Sequence, residues 1–364
     1  MIELSPLLLA FAFIVVGGIA WGLGHGRGIA RTVRLPRDYY VGLDHLINDR
    51  FDRAAEVFAR MAEVDGDAVE IQFALGSVFR RRGEVDRAIA IHTRLRSDAT
   101  AAVAQRGAFA LALDYSSAGL MDRAERLFEE LAATREYRHA ALDHLVRIHE
   151  QAGDWANALR VFHELPSAVQ IERRRVAAHY LCELAEHAVL QGEAERAQTL
   201  LKQARAHDPD LPRAQILSAR MTAAAGDKSG ALALYLQALE AAPELALEII
   251  PRVLTLVGTA GETQLLGDLS TRLRATGKVS ARQLAWLLAT AVPAKDVPDS
   301  AGEVSSLRSL LMRMGDVGGR YQCDDCGLPS VGWYWRCPKC RAWDSLHPVV
   351  FKWAERTDEA ARAL

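Results

Sequence analysis

Four cysteines fall within 18 residues near the C-terminus, as Cys323-x2-Cys326 and Cys337-x2-Cys340 with ten residues between the pairs. Two intervening residues let both sulfurs of a tight turn point at one ion, and two such turns complete a tetrahedron. The spacing therefore reads as a structural site in which Cys323, Cys326, Cys337 and Cys340 bind one metal ion. Tetrahedral tetrathiolate suits zinc and a single iron equally well. A redox dithiol would want one pair at a helix start in a βαβ unit. A disulfide scaffold would spread its cysteines through the chain and require a compartment outside the cytoplasm. Gly327 permits the turn after the first pair, and Pro338 stiffens the second. Tyr321, Trp333, Tyr334, Trp335 and Trp343 crowd the same stretch. A metal-held module of about 30 residues needs large rings to build any core, and most of these rings are expected to serve that purpose. The fifth cysteine, Cys182, stands alone and reads as a small buried hydrophobe.

The chain that carries this module has 364 residues and a mass of 40.0 kDa, enough for two or three domains. Half its residues are hydrophobic and a quarter are charged, so most of it can bury a core. The net charge is -2, and residues 320–352 hold five basic against three acidic side chains. That balance excludes a general nucleic-acid binder, which carries a strong basic excess.

A phrase recurs through the middle of the chain. It reads DRFDRAAEVF from Asp49, GEVDRAIAIH from Gly83, GLMDRAERLF from Gly119, GDWANALRVF from Gly153, GEAERAQTLL from Gly192 and GDKSGALALY from Gly226. The aligned alanines Ala54, Ala88, Ala124, Ala158, Ala197 and Ala231 are separated by 34, 36, 34, 39 and 34 residues. This period is the tetratricopeptide signature, two antiparallel helices per repeat. Glycine at the turn reverses the backbone without a Cβ penalty. The alanine admits a close neighbour, and the bulky residue four positions on (Phe58, Phe128, Phe162 or Tyr235) fills the space between helices. First helices line the concave side of such a stack, which predicts docking of a peptide or protein rather than chemistry. Arg80, Arg81 and Arg82 end one first helix and read as a solvated, dipole-stabilised helix end.

Residues Ile2–Leu23 are almost wholly apolar, long enough to span the hydrocarbon core of a bilayer. No basic n-region or small-residue cleavage site marks them as a signal peptide. Arg27, Arg31, Arg34 and Arg37 follow, so the positive-inside rule places the rest of the chain in the cytoplasm. The expected fold is all-α: a tetratricopeptide solenoid with one N-terminal transmembrane helix and a small C-terminal rubredoxin-like or zinc-ribbon metal domain. The expected domains are an anchor at 1–24, a juxtamembrane linker at 25–35 and about six repeats at 36–245. Degenerate or capping helices and a linker follow at 246–315, the four-cysteine domain at 316–352 and a tail at 353–364. Helical patterns within the capping region cover Leu245–Val257, Glu262–Thr276, Ser280–Val292 and Glu303–Met314.

No P-loop, H-E-x-x-H or G-x-S-x-G motif occurs, and the histidines are scattered. No catalytic residue, small-molecule substrate or further cofactor is expected. The combination of anchor, repeats and knuckle, with LGSVFRRRGEVDRAIAIH (Leu75–His92), YQCDDCG (Tyr321–Gly327) and YWRCPKCRAW (Tyr334–Trp343), resembles the lipopolysaccharide assembly protein B family of Gram-negative bacteria. Residues Pro243–Gly302 are short for that family. The resemblance implies a non-enzymatic adaptor at the inner membrane, single-pass, with repeats and metal domain on the cytoplasmic side. It implies three partners. These are the deacetylase that commits flux to lipid A, the membrane-anchored AAA+ metalloprotease that degrades it, and an inner-membrane protein that senses lipopolysaccharide. It carries the metal-ligand role to Cys323, Cys326, Cys337 and Cys340, with the knuckle packed against the repeats. A scaffold for lipopolysaccharide assembly or export without a part in proteolysis is the alternative.

Overall fold

A computed structural model describes residues 36–64, 68–97, 100–257 and 321–349. The expected anchor at 1–24, the linker at 25–35, the helices expected at Glu262–Thr276, Ser280–Val292 and Glu303–Met314, and the tail at 353–364 lie outside the described residues. Among the described residues no helix is long and apolar enough to cross a membrane.

The chain divides into two compact units, Met1–Leu131 and Ala132–Leu364. In the first, α1 (Arg37–Ile47) pairs with α2 (Phe51–Val64) and α3 (Val69–Arg81) with α4 (Val85–Arg96). A third hairpin is α5 (Ala101–Ser117) with α6 (Met121–Ala132), whose last residue opens the second unit. The second unit continues with α7 (Arg138–Ala152) and α8 (Trp155–Phe162). A short α9 (Ser167–Glu172) precedes α10 (Arg174–Leu190) and α11 (Ala194–His207). Then come α12 (Pro212–Ala224), α13 (Lys228–Ala241) and α14 (Ala246–Val257). The extra helix α9 explains why one repeat separation is 39 rather than 34. Among the described residues the fold departs from all-α only in the knuckle, where β1 (Tyr321–Cys323) lies between β2 (Pro329–Ser330) and β3 (Leu346–Pro348), antiparallel to both.

The repeating phrase owes its composition to contact. All six aligned alanines are fully buried, because a larger side chain at the hairpin crossing would hold the helices apart. Phe58, Phe128, Phe162 and Tyr235 are buried one turn further on. Each first helix ends in the same turn. In the second repeat the Gly83 amide donates to Arg80 O (3.0 Å) and the Glu84 amide to Phe79 O (2.9 Å), the Schellman pairing that satisfies the last carbonyls. That turn needs a left-handed residue, and Gly83 adopts φ 80°. In the first repeat Asp49 takes the same place at φ 56°, with the Arg50 amide donating to His45 O (2.8 Å).

The second repeat departs from the pattern, and the departure builds a polar core. Where the other repeats carry a large apolar residue, it carries His92, fully buried beside Phe73. Gly76 makes room for it, since a Cβ there would sit 2.5 Å from His92 Nε2. A buried imidazole needs a partner. His92 Nδ1 lies 2.5 Å from Asp114 Oδ2, and Asp114 Oδ1 accepts from Arg80 Nη1 at 2.7 Å. Asp114 is itself fully buried. Arg80 is therefore an internal partner that also donates to Ala110 O (3.3 Å), which corrects the expectation of a solvated helix end. Arg81 and Arg82 are exposed, as that reading expected, and Arg82 pairs with Glu84 at 2.8 Å.

The triad sets an expected stability order. Asp114→Ala leaves a buried imidazole and a guanidinium without their carboxylate and is expected to cost about 3 kcal/mol. Arg96→Ala, which breaks the exposed Arg96–Glu130 pair (2.9 Å), should cost under about 1 kcal/mol. Urea unfolding of the full chain, with hydrogen exchange across α3–α5 to localise the loss, checks the order. Equal losses would mean that the triad contributes no more than a surface pair.

Candidate metal centre

The two cysteine turns are the same structure used twice. In the first, the Gly327 amide donates to Cys323 O (2.9 Å) and the Cys323 amide to Leu328 O (3.0 Å). In the second, the Arg341 amide donates to Cys337 O (2.9 Å) and the Cys337 amide to Ala342 O (2.8 Å). The residue after each pair is left-handed, Gly327 at φ 70° and Arg341 at φ 64°. Each turn thus aims its two sulfurs to one side. β1 delivers Cys323, and the turns oppose each other so that all four sulfurs lie within 4.8 Å of one another.

The donor set fits a tetrahedral ion. With metal–sulfur bonds of about 2.3 Å, a regular tetrahedron has sulfur–sulfur edges of about 3.8 Å. The Cys323–Cys340 and Cys326–Cys337 edges are 3.6 and 3.7 Å. The protonation chemistry points the same way. The Ser345 hydroxyl, 3.3 Å from Cys323 Sγ, together with nearby amides, outweighs burial and brings that thiol down to about 6. A hydrogen bond with the Ala342 backbone favours the Cys340 thiolate, but burial and the other three sulfurs push it up to about 12. The last proton of the tetrad is held because four thiolates repel, and a cation removes that repulsion. Cys323, Cys326, Cys337 and Cys340 form a tetrathiolate cluster for one metal ion, iron or zinc. When bound, such an ion supplies cross-linking energy to a module with few buried side chains. Tyr321 and Leu346 are fully buried, Tyr321 meets Trp333 edge-on at 5.2 Å, and little else forms the core.

The other rings do not serve that core. Trp343 leaves the knuckle and stacks on His179 of α10 at 4.7 Å and 16°. It meets Trp155 edge-on at 5.7 Å, and its Nε1–H donates to Glu150 Oε1 (3.1 Å). Trp333 and Trp335 pack against the apolar cluster of α12, α13 and α14. The expectation that most of the aromatics hold the knuckle together is thus corrected: Tyr321 and Trp333 do so, while Trp335 and Trp343 join it to the repeats. A core of this size has no room for more rings, and the first helices of the second unit offer a surface to cover.

Charge orients the contact. Asp344, left-handed at φ 51°, accepts from Arg175 Nε (2.6 Å) and His179 Nε2 (2.8 Å) through Oδ2. Arg336 Nη1 donates to Glu150 O (2.8 Å), with its guanidinium 5.5 Å above Trp155. Tyr180 OH donates to Glu150 Oε1 (2.7 Å), and burial beside that carboxylate pushes its pKa up. Burial holds His179 neutral, below the usual imidazole range, against the pull of Asp344. Burial alone would raise the Asp344 carboxyl, but the hydrogen bonds from His179 and Arg175 hold it below its usual range.

Arg213 of α12 completes the groove. It is 3% exposed, its Nη2 donates to Glu183 (2.9 Å) and Glu186 (3.0 Å), and its guanidinium lies 6.0 Å from both the Trp335 and Trp343 rings. Among the described residues its Nε and Nη1 have no acceptor, and neither His179 Nδ1 nor Trp333 Nε1 has a partner. Each such orphan typically costs about 1–3 kcal/mol. Sequence reading found the four cysteines but none of Glu150, Arg175, His179 or Arg213. No motif carries them, and their contacts with the knuckle join residues well over 100 positions apart, 193 for Glu150 and Trp343. Cys182, expected as a buried hydrophobe, is that: it is fully buried, and burial pushes its thiol up to about 12.

Comparison with known proteins agrees with this geometry. Residues 321–348 match the family described as rubredoxin metal binding domain. Residues 42–102, 141–175 and 182–246 match tetratricopeptide repeat families. Lipopolysaccharide assembly protein B of Escherichia coli K12 is 30% identical, covering 96% of this chain and 98% of its own. The protein of that name from Haemophilus influenzae is 27% identical over the same shares.

Docking should weaken in acid. His179 is held below 6.5, so docking is at full strength above that value and is lost as protonation favours the released state. Asp344 adds stability above its usual 3.8 that disappears as pH falls through its lowered value. The protection of α10 amides, corrected for the intrinsic pH dependence of exchange, is expected to fall between pH 7.5 and about 5.5 and to change less in His179→Gln. Cys337→Ser is expected to lose the metal, read by elemental analysis, and to free Trp343, read by a red-shifted emission. Retained metal with unshifted emission would show that three sulfurs suffice.

Proposed function

The chain belongs to the lipopolysaccharide assembly protein B family, and from that premise we propose that it is an adaptor restraining lipopolysaccharide synthesis. The end-to-end relationship, 30% identity over 96% of the chain, carries this reading. The adaptor brings the lipid A-committing deacetylase to the membrane AAA+ metalloprotease and so promotes its degradation, and an inner-membrane protein that senses lipopolysaccharide relieves the action. Residues 1–24 anchor the chain in the inner membrane, and repeats and knuckle face the cytoplasm. The anchor raises local concentration beside a membrane protease, so weak contacts suffice.

The composition of the described units supports a binding role. Repeats of this type present first-helix faces for docking. The titratable clusters that could suggest chemistry are taken up by structure. His92, Asp114 and Arg80 are packed inside the first unit, and His179 with Asp344 joins the knuckle to α10.

The lifetime of the deacetylase after translation is stopped tests the reading. Depletion of this protein is expected to lengthen it several-fold, and a chain lacking residues 1–24 is expected to restore turnover only in part. An unchanged lifetime would favour a scaffold for lipopolysaccharide assembly. Full restoration by the anchorless chain would overturn the tethering step alone.

A further inference from the structure

The knuckle sits on the face that a repeat stack ordinarily offers to partners. Its contacts fall on the first helices α7, α10, α12 and α14, together with Trp155 at the start of α8. Trp333 and Trp335 lie on the apolar cluster and Arg336 reaches Glu150, while one short segment enters beside His179. Two adjacent side chains, Trp343 and Asp344, make the ring stack on His179 and the ion pair with Arg175. We propose that this groove is a reading site for an aromatic residue followed by an acidic one. The chain's own Trp343–Asp344 occupies it as an internal stand-in, and a partner segment bearing that pair displaces the knuckle.

Three observations carry the proposal. The bed is built for an indole, with His179 below the ring, Trp155 at its edge and Glu150 accepting its N–H. The acidic subsite has more donors than the knuckle uses. One carboxylate oxygen of Asp344 takes both Arg175 and His179, while two N–H groups of the buried Arg213, beside the Trp343 ring, have no acceptor. A segment offering a further carboxylate would satisfy what the knuckle leaves unmet. Finally, the seam joins a separately folded cysteine module to the repeats through ion pairs, ring stacks and the packing of Trp333 and Trp335, so the knuckle can leave as a unit. An internal ligand benefits from a high effective concentration, so a competitor must bind better or be held nearby. The inference stands whether or not the partner is the deacetylase.

The test uses the full chain in detergent and a fluorescent peptide of residues 341–347, Arg-Ala-Trp-Asp-Ser-Leu-His. Hydrogen exchange in α10 reports whether the knuckle has left. The Trp343→Ala/Asp344→Asn chain is expected to show faster exchange in α10 and to bind the peptide at least about ten-fold more tightly than the unaltered chain. Adding His179→Ala should abolish that binding, and a peptide with alanine and asparagine at the two positions should not bind. Arg175→Ala, which leaves the knuckle's own residues untouched, should also speed exchange in α10. Faster exchange without peptide binding would overturn the reading site. Unchanged exchange in both variants would overturn the role of Trp343–Asp344, and equal binding to both chains would place the peptide elsewhere.

Discussion

Four sulfurs held within 4.8 Å of one another cannot all carry charge without a cation, and the C-terminal architecture rests on that constraint. The knuckle has too few buried side chains to fold by apolar burial. An ion bound by the four cysteines would neutralise the tetrad and fix the angle between the two cysteine turns. That angle decides where the segment after Cys340 emerges, and so where Trp343 and Asp344 point. The four-cysteine site and the docking on the repeats are thus linked through only four residues of chain, 341–344.

The repeats obey a different physics. Their period comes from a hairpin whose crossing admits only alanine and whose turn needs a left-handed residue. Within those limits the sequence is free, and the second repeat uses the freedom to bury His92 and Asp114 against the half-buried Arg80. An imidazole where its neighbours have an apolar residue demands a carboxylate, the carboxylate demands a guanidinium, and Gly76 is the vacancy that admits the ring. Such a network specifies which helices must be neighbours, because a shifted stack would leave charge buried and unpaired.

The interface between knuckle and second unit combines features that usually separate. Its stacked rings resemble a core, while Asp344, Arg175, Arg336 and Glu150 resemble a surface contact. Polar partners make the fit specific, and orphaned donors on Arg213 keep it from being the tightest fit the groove could make. The repeats then offer the surface, and the knuckle governs access to part of it.

The metal ligands were legible because a cysteine turn is local: the spacing of two residues is itself the geometry. The repeats were legible for the same reason, since a 34-residue period repeats one local hairpin, and the aligned alanines are buried as that hairpin requires. The sequence by itself therefore determined the ligands, the repeat period, the turns and the family. Only the tertiary structure decided what the knuckle touches, which rings serve its core and which serve the groove, and why Arg80 lies inside. Those depend on contacts between residues 30 to 193 positions apart, which no spacing rule encodes. A side chain's partner across such a distance is set by how helices stack, and stacking is the sum of many small contacts rather than any one motif.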